Sequence, residues 1–383
     1  MYDFSPEEPS PKPPRPPKRK KNQIDKYLRA MTRHGASDMH MKAGSPIKFR
    51  MNGEVGNIDR NPMSVAQIEA MAFEIMDERR LAAYRKNGSI DFAYQLPRGD
   101  RFRMNVFRQR GESSVAIRRV PKDILTIDQL HLPESLRKLA DLRQGLVLLA
   151  GITGSGKSTT IAALLEEINR TRPCHIMTLE DPIEFLFEDK VAFVSQREIG
   201  LDVANYAEAL KYMMREDPDV VMIGEMRDQA TYGAALTTAE TGHLVMGTIH
   251  ASSAPNTIGR ILELFPEESR PLIRSSLVFN LQAIICLKLL PGIQPDIPRV
   301  PCCEILTCNG TVRKLIAEGR DREVGLVIRN SLHDGMIDFT ESLRRLVDRE
   351  LISVKTAYAA APNSDELKMR LKGISVTGGG IIG

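Results

Sequence analysis

The middle of the chain contains four short runs of apolar residues with little polar alternation. They are Gly145–Ala150, His175–Leu179, Val220–Ile223 and His243–Ile249. An uninterrupted apolar run is typical of a strand that is buried on both faces of a sheet. Because helical stretches separate the runs, the pattern predicts βαβ units, a parallel sheet and an α/β fold for residues 136–372. After Pro291 the pattern is interpreted as helical.

The preceding residues, 23–135, show a different pattern. Ser64 is a suitable N-cap for a helix, and Asn87-Gly88 is a suitable stop for the helical pattern. Arg101–Arg108 then alternates strictly between apolar and polar positions, and a second strand is predicted near residues 113–119. The pattern predicts a small α+β domain. The polar face of its clearest strand carries Arg101, Arg103 and Asn105.

Both ends of the chain are predicted to lie outside these domains. Residues 1–22 are rich in proline and end in a basic cluster, which predicts a disordered leader. Residues 373–383 form a glycine-rich tail.

Composition and charge argue against several classes of function. The formal net charge is only +4, tryptophan is absent and aromatic residues make up 5% of the chain, so a base-stacking nucleic-acid surface is not expected. No apolar run is long enough to span a bilayer, so direct membrane insertion is not expected either. The five cysteines form no CxxC pair, which argues against a zinc site and fits reduced thiols in the cytosol.

The residues that follow the first apolar run carry the clearest chemical signal. Residues 151–158, GITGSGKS, match the pattern G-x-x-x-x-G-K-[ST] between a predicted strand and a predicted helix. In that setting the glycines let the backbone wrap a phosphate group, Lys157 neutralises phosphate charge and Ser158 binds Mg²⁺. A chance match is disfavoured because strand, loop and helix are all in place. The expected ATP-binding residues are Gly151, Thr153, Gly154, Ser155, Gly156, Lys157, Ser158 and Thr159.

Two acidic segments follow later apolar runs. Glu225 ends the run that begins at Val220, and Gly224 stands where a Walker B strand usually has aspartate. Glu225 is therefore expected to organise Mg²⁺, through water if necessary. Glu184 is the first choice for the general base of hydrolysis and Glu180 the second, since strand ends of a parallel sheet face the ligand crevice. Without the other motifs, two carboxylates beside a proline would be interpreted as a polar loop.

Two histidines and three arginines complete the candidate residues. His243 and His250 bracket the last apolar run. A lone histidine is more often a structural hydrogen-bonding group than a catalyst, and of the two His250, at the carboxyl end of the run, is the better candidate for sensing phosphate. Glu180 and His243 are expected to line the nucleotide site. Arg101, Arg103 and Arg118 are candidates for contact with nucleotide in an adjacent subunit, and an ordinary solvated sheet face is an equally strong interpretation for each.

Taken together, these motifs resemble the secretion ATPase superfamily, which powers type II and type IV secretion and type IV pili. The matching segments are GITGSGKST, LEDPIEF, VVMIGEMRD and TGHLVMGTIHASSA, in the order and spacing of that superfamily. The resemblance covers residues 30–345 and is strongest to the retraction ATPases of type IV pili, which also begin similarly to GASDMHMKAGSPIKFRMNGEV. It implies a PAS-like first domain, a RecA-like second domain and a hexameric ring.

The resemblance implies a cytoplasmic motor that retracts a pilus through a platform protein of the inner membrane and works beside paralogous pilus ATPases. Residues 311–318, TVRKLIAE, are similar to the AIRNLIRE-type motif of the family but differ at Thr311, Val312 and Lys314. That difference leaves an accessory retraction motor open. A pilus assembly or type II secretion ATPase, a nucleotide-binding regulator, and a translocase acting on nucleic acid are also compatible with a P-loop in this setting.

Overall fold

The computed structural model describes residues 22–51, 53–97, 99–120 and 123–374, in two units that divide after Val120. Nearly all of the predicted leader and of the predicted glycine-rich tail lies outside the described residues. In the first unit the described elements are α1 (Asp25–His34), β1 (Asp38–Met41), β2 (Lys48–Met51), β3 (Glu54–Asn57), α2 (Val65–Phe73), α3 (Glu78–Asn87), β4 (Ser89–Gln95), β5 (Arg101–Gln109) and β6 (Glu112–Val120).

The first unit is an α+β fold built on an antiparallel sheet with the strand order β3-β2-β1-β6-β5-β4. Along β5, Phe102, Met104 and Val106 are buried in one core, as the strict alternation predicted. Ser64 caps α2 through a capping box with Gln67. The predicted helical stretch is interrupted after α2, because Asp77 caps a separate helix, α3, which ends at Gly88.

The second unit contains the parallel sheet. Its described elements are α4 (Arg137–Ala140), β7 (Gly145–Ala150), α5 (Lys157–Thr171), β8 (His175–Glu180), β9 (Phe193–Glu198), α6 (Tyr206–Met213), β10 (Val220–Ile223), α7 (Gln229–Glu240), β11 (Leu244–Ile249), α8 (Ala254–Glu263), α9 (Arg270–Asn280), β12 (Leu281–Gln294), β13 (Ile297–Thr307), α10 (Gly310–Ala317), α11 (Val324–Asn330), α12 (Phe339–Asp348), α13 (Val354–Ala360) and α14 (Ser364–Leu371).

The strand order in this sheet is β13-β12-β7-β11-β10-β8-β9, and all neighbouring pairs are parallel except β12 and β13. Along β7, Leu146 and Leu148 belong to the core on one face, whereas Val147 and Leu149 belong to the core on the other. Burial on both faces explains the absence of polar alternation in the apolar runs. The α/β prediction is confirmed for this unit.

The interpretation of the chain after Pro291 as helical is wrong for residues 291–307. Pro291 lies within β12 and pairs with Arg299 of β13, and the helices resume only at α10. Proline is unusual within a strand, and β13 contains Pro298 and Pro301. They are tolerated because β13 is the edge strand of the sheet, where a missing backbone N–H need not break a ladder hydrogen bond.

The boundary between the two units also differs from the sequence prediction of 135/136. The first unit ends at Val120. Ile127 and Leu132 are buried in the same core as Val147 and Leu149 of β7. The segment before α4 therefore packs as part of the second unit, because its apolar side chains find their partners there.

Candidate nucleotide site

The loop that joins β7 to α5 has the backbone geometry that a phosphate-binding loop requires. Gly151, Gly154 and Gly156 all adopt positive φ angles, of 152°, 77° and 95°. At Gly151 a Cβ atom would lie 2.4 Å from Ser155 Oγ and 2.8 Å from Leu287 O, so a larger residue would displace the loop. Thr153 is exposed at the loop tip, whereas Ser158 and Thr159 are half-buried in the first turn of α5.

Two polar groups in this loop indicate that it is built for an anion. Ser155 is only 2% exposed, and its hydroxyl has no hydrogen-bond partner among the described residues. Lys157 Nζ donates to Gly151 O at 2.8 Å and to Ile152 O at 3.0 Å. Burial lowers the pKa of Lys157, and the nearby carboxylates of Glu225 and Glu184 act in the opposite direction. A phosphate group would give the ammonium a charged partner.

Glu225 lies just beyond β10. Through His250, which follows β11, it is connected to the loop between β7 and α5. Its Oε1 lies 2.9 Å from His250 Nε2, and its Oε2 accepts a hydrogen bond from Arg227 Nη2 at 2.5 Å. His250 Nδ1 in turn lies 3.2 Å from Gly151 O. The hydrogen bond from Arg227 lowers the pKa of Glu225, so the carboxylate is ionised at neutral pH.

The two glutamates of the acidic segment that begins at the end of β8, Glu180 and Glu184, lie in different environments. Glu180 is 5% exposed and accepts hydrogen bonds from Thr178 Oγ1 at 2.7 Å, Gln196 Nε2 at 3.1 Å and the Glu184 amide at 3.1 Å. Burial nevertheless raises the pKa of Glu180. Glu184 is exposed, and its charge reaches Lys157. Of the two carboxylates, that of Glu184 is the more accessible to a water molecule or a nucleotide.

The parallel strands explain why these residues meet. Glu180 is the last residue of β8, whereas the loop, Glu225 and His250 follow the carboxyl ends of β7, β10 and β11. Those ends lie at one edge of the sheet, which is where ligands bind in open α/β folds. The hydroxyl of Ser158 and the carboxylate of Glu225 are both oxygen donors, as Mg²⁺ prefers. The donor set therefore fits a Mg²⁺ ion bound with nucleotide.

His243 does not join this group within its own chain, which corrects its expected place in the nucleotide site. It precedes β11, and its carbonyl accepts a hydrogen bond from Gly145 N at the start of β7. The six residues of β11 place it roughly 20 Å from the edge that carries His250. Its ring instead contacts Thr238 O and Thr241 Oγ1, each at 3.1 Å. Of the residues in the site, Arg227 was missed, although it belongs to the VVMIGEMRD segment.

The three candidate arginines belong to the sheet of the first unit. Arg103 and Arg118 lie opposite each other on β5 and β6. Arg118 Nε is 2.8 Å from Asp38 Oδ1, so one donor of its guanidinium is already used in this ion pair. Arg103 is half-buried and makes no hydrogen bond or ion pair within the described residues, which makes its guanidinium the freer of the two.

Comparison with known proteins agrees with this geometry. The family model for type II/IV secretion system proteins matches residues 18–357. The chain belongs to this family. It is 39% identical over 338 residues to the type IV pilus retraction ATPase PilT of Pseudomonas aeruginosa, and the alignment covers 88% of this chain and 98% of that relative. It is 35% identical over 351 residues to PilU, a type IV pilus ATPase of the same organism, with 91% of each chain covered.

A solved structure leads to the same family. The crystal structure of the pilus retraction motor PilT with bound ADP superposes with a TM-score of 0.83 and 38% sequence identity, over 91% of this chain and 99% of that one. This member of the secretion ATPase family is therefore a P-loop ATPase with an N-terminal domain and a RecA-like domain. Among the described residues, none of the helices has the length and apolar character that crossing a bilayer requires.

Proposed function

We propose that this secretion-family ATPase retracts a type IV pilus. It works as a Mg²⁺-dependent hexamer on the cytoplasmic side of the inner membrane and acts through a pilus platform protein. The observation that carries the proposal is the match to a pilus retraction ATPase along 98% of that relative's length. His250 contacts both Glu225 and the glycine-rich loop, and the charges of Glu225 and Glu184 act on Lys157. This arrangement supports the proposal chemically, because ATP hydrolysis needs these groups near one another.

In the proposed mechanism each side chain has a separate task. The loop amides and Lys157 would hold the β- and γ-phosphates, and Ser158 and Glu225 would hold Mg²⁺, which would supply positive charge to offset that of the phosphates. Glu184 takes a proton from the attacking water. His250 bridges Glu225 and the Gly151 carbonyl, so a change at the phosphate site can move the loop and the end of β11 together.

An accessory retraction motor is the second candidate function, and two observations favour it. The chain also matches PilU, a second type IV pilus ATPase of the organism that has PilT, over 91% of both chains, so one organism carries more than one such ATPase. The departures from the AIRNLIRE-type motif fall at positions 311, 312 and 314, and also at Ala317, all on α10. Arg313 of that helix donates to the carbonyls of Val278 and Phe279, so the motif contacts the end of α9. A pure regulator is less well supported because Lys157, Ser158, Glu184 and Glu225 are all present.

ATP turnover with and without Mg²⁺, measured together with the mass in solution by light scattering, tests this function. We expect turnover only with Mg²⁺ and from a six-subunit species. We also expect the gene to restore pilus retraction in a strain that lacks its own retraction ATPase. A monomer without turnover at any concentration would contradict the motor. Turnover without restored retraction would favour an assembly ATPase or an accessory motor.

We further propose that Arg103 contacts nucleotide bound to a neighbouring subunit, where it stabilises the transferring phosphoryl group. The Arg103→Ala variant is then inactive, as is a variant that lacks Lys157. Mixing the two variants is expected to restore partial turnover, because some sites receive an intact loop from one subunit and Arg103 from the next. Arg108→Ala, on the same strand, is the control and should turn over normally by itself. If the mixture stays inactive, Arg103 acts within its own chain or only supports the sheet.

A further inference from the structure

Gly224, the residue after β10, leaves little room for a side chain such as the aspartate that a Walker B strand usually has there. A Cβ atom on Gly224 would lie 3.2 Å from Leu179 O and 3.3 Å from Tyr206 Oη, both closer than ordinary van der Waals contact. The backbone cannot easily retreat, since Gly224 N donates to Leu179 O at 2.8 Å. The space next to Gly224 is thus occupied by a phenol oxygen, from a residue that the sequence did not single out.

Tyr206 is placed there by the first turn of α6. Asn205 caps this helix by accepting a hydrogen bond from Glu208 N, and the Tyr206 ring packs against the core of the second unit. The charges around its hydroxyl come from both acidic segments, namely Glu180, Asp181, Glu225 and Arg227. Burial and these carboxylates raise the pKa of Tyr206 well above its ordinary value, so the phenol keeps its proton.

The hydroxyl of Tyr206 is also available for a further hydrogen bond. It makes no hydrogen bond to another group in the described part of the chain, whereas both oxygens of Glu225 already contact His250 and Arg227. A protonated phenol can donate one hydrogen bond and accept others. Unlike an aspartate, it adds no negative charge beside a triphosphate.

We infer that Tyr206 and Gly224 act as a pair that replaces the missing aspartate of the Walker B strand. In this arrangement Tyr206 is a positioning residue, and its hydroxyl orients water molecules that surround the nucleotide-bound Mg²⁺. The inference rests on the proposed Mg²⁺-dependent hydrolysis. Mg²⁺ keeps several of its waters when it binds through one or two side chains and phosphates, so a hydroxyl near Glu225 has water to orient.

The Tyr206→Phe variant tests this role, because it removes one oxygen and keeps the ring. Tyr212→Phe is the matched control, since Tyr212 lies on the same helix but is 42% exposed. For Tyr206→Phe we expect the Mg²⁺ concentration that half-saturates binding of a fluorescent ATP analogue to rise about three- to tenfold, the effect of one lost hydrogen bond, and kcat to fall similarly. The melting temperature should match that of the control.

Two results would overturn the inference while leaving the proposed function intact. One is a Tyr206→Phe variant with the wild-type Mg²⁺ midpoint and kcat. The other is a loss of turnover that follows a lower melting temperature and does not change with Mg²⁺ concentration, as expected of a purely structural ring. If the wild-type protein itself shows no Mg²⁺ dependence, the proposed function and this inference fail together.

A double-mutant cycle tests the pairing. Gly224→Ala is expected to lower the melting temperature, because its Cβ would contact Tyr206 Oη and Leu179 O. In the Tyr206→Phe background one of those contacts is gone, so the same substitution should cost less. Additive effects of the two substitutions would show that the residues are not coupled and would contradict the pairing.

Discussion

The Lys157→Ala variant is expected to lose ATP turnover by about 10²–10³-fold, the cost of removing one preorganised group that stabilises developing charge. Lys157 is only 9% exposed, and its ammonium hydrogen-bonds the carbonyls of Gly151 and Ile152. In the absence of nucleotide those dipoles are its only hydrogen-bond partners among the described residues. Burial lowers its pKa for that reason. An anionic phosphate supplies the compensation that the protein does not, so nucleotide binding should weaken together with turnover.

The stability of the nucleotide-free protein should not suffer from the same substitution. Because a partly desolvated ammonium costs free energy, its removal is not expected to lower the melting temperature of the nucleotide-free protein. Addition of MgATP at 100 times Kd should raise the unfolding free energy of the wild type by about 2.7 kcal/mol, and with it the melting temperature, and should do little for the variant. Lys138→Ala, at an exposed lysine of α4, is the control. Wild-type turnover in Lys157→Ala would contradict the assignment of the site.

The Glu184→Gln variant is expected to lose hydrolysis by about 10²–10⁴-fold while it keeps its affinity for ATP. Glutamine is nearly the same size as glutamate but cannot accept a proton from water. The exposed carboxylate of Glu184 carries no hydrogen bond within the described residues, so its loss should leave the fold unchanged. Single-turnover hydrolysis and equilibrium binding of ATP, measured on the same preparation, separate the two effects. Glu208→Gln, at an exposed carboxylate of α6, is the control.

The Glu180→Gln variant provides the comparison that assigns the base. Glu180 is buried and its oxygens accept three hydrogen bonds, one of them from the Glu184 amide. We therefore expect Glu180→Gln to lower the melting temperature and to reduce turnover by displacing Glu184. If Glu184→Gln hydrolyses ATP normally and Glu180→Gln does not, the general base is Glu180. Its raised pKa would then bring it closer to the operating pH.

The sequence by itself determined the parts of this protein that depend on local pattern. The four apolar runs correspond to β7, β8, β10 and β11, because a strand buried on both faces must be apolar throughout. The phosphate loop was equally legible, since its positive φ angles require glycine at fixed positions. The family followed from motifs of this kind, each of which is a short continuous segment.

Only the tertiary structure decided which distant residues share a neighbourhood. It placed His243 and His250 at opposite edges of the sheet, since β11 runs between them, and it paired β12 with β13 in spite of their prolines. It also brought the Tyr206 hydroxyl next to Gly224. No local pattern encodes these contacts, because they depend on strand order and on the close approach of segments that are far apart in the chain.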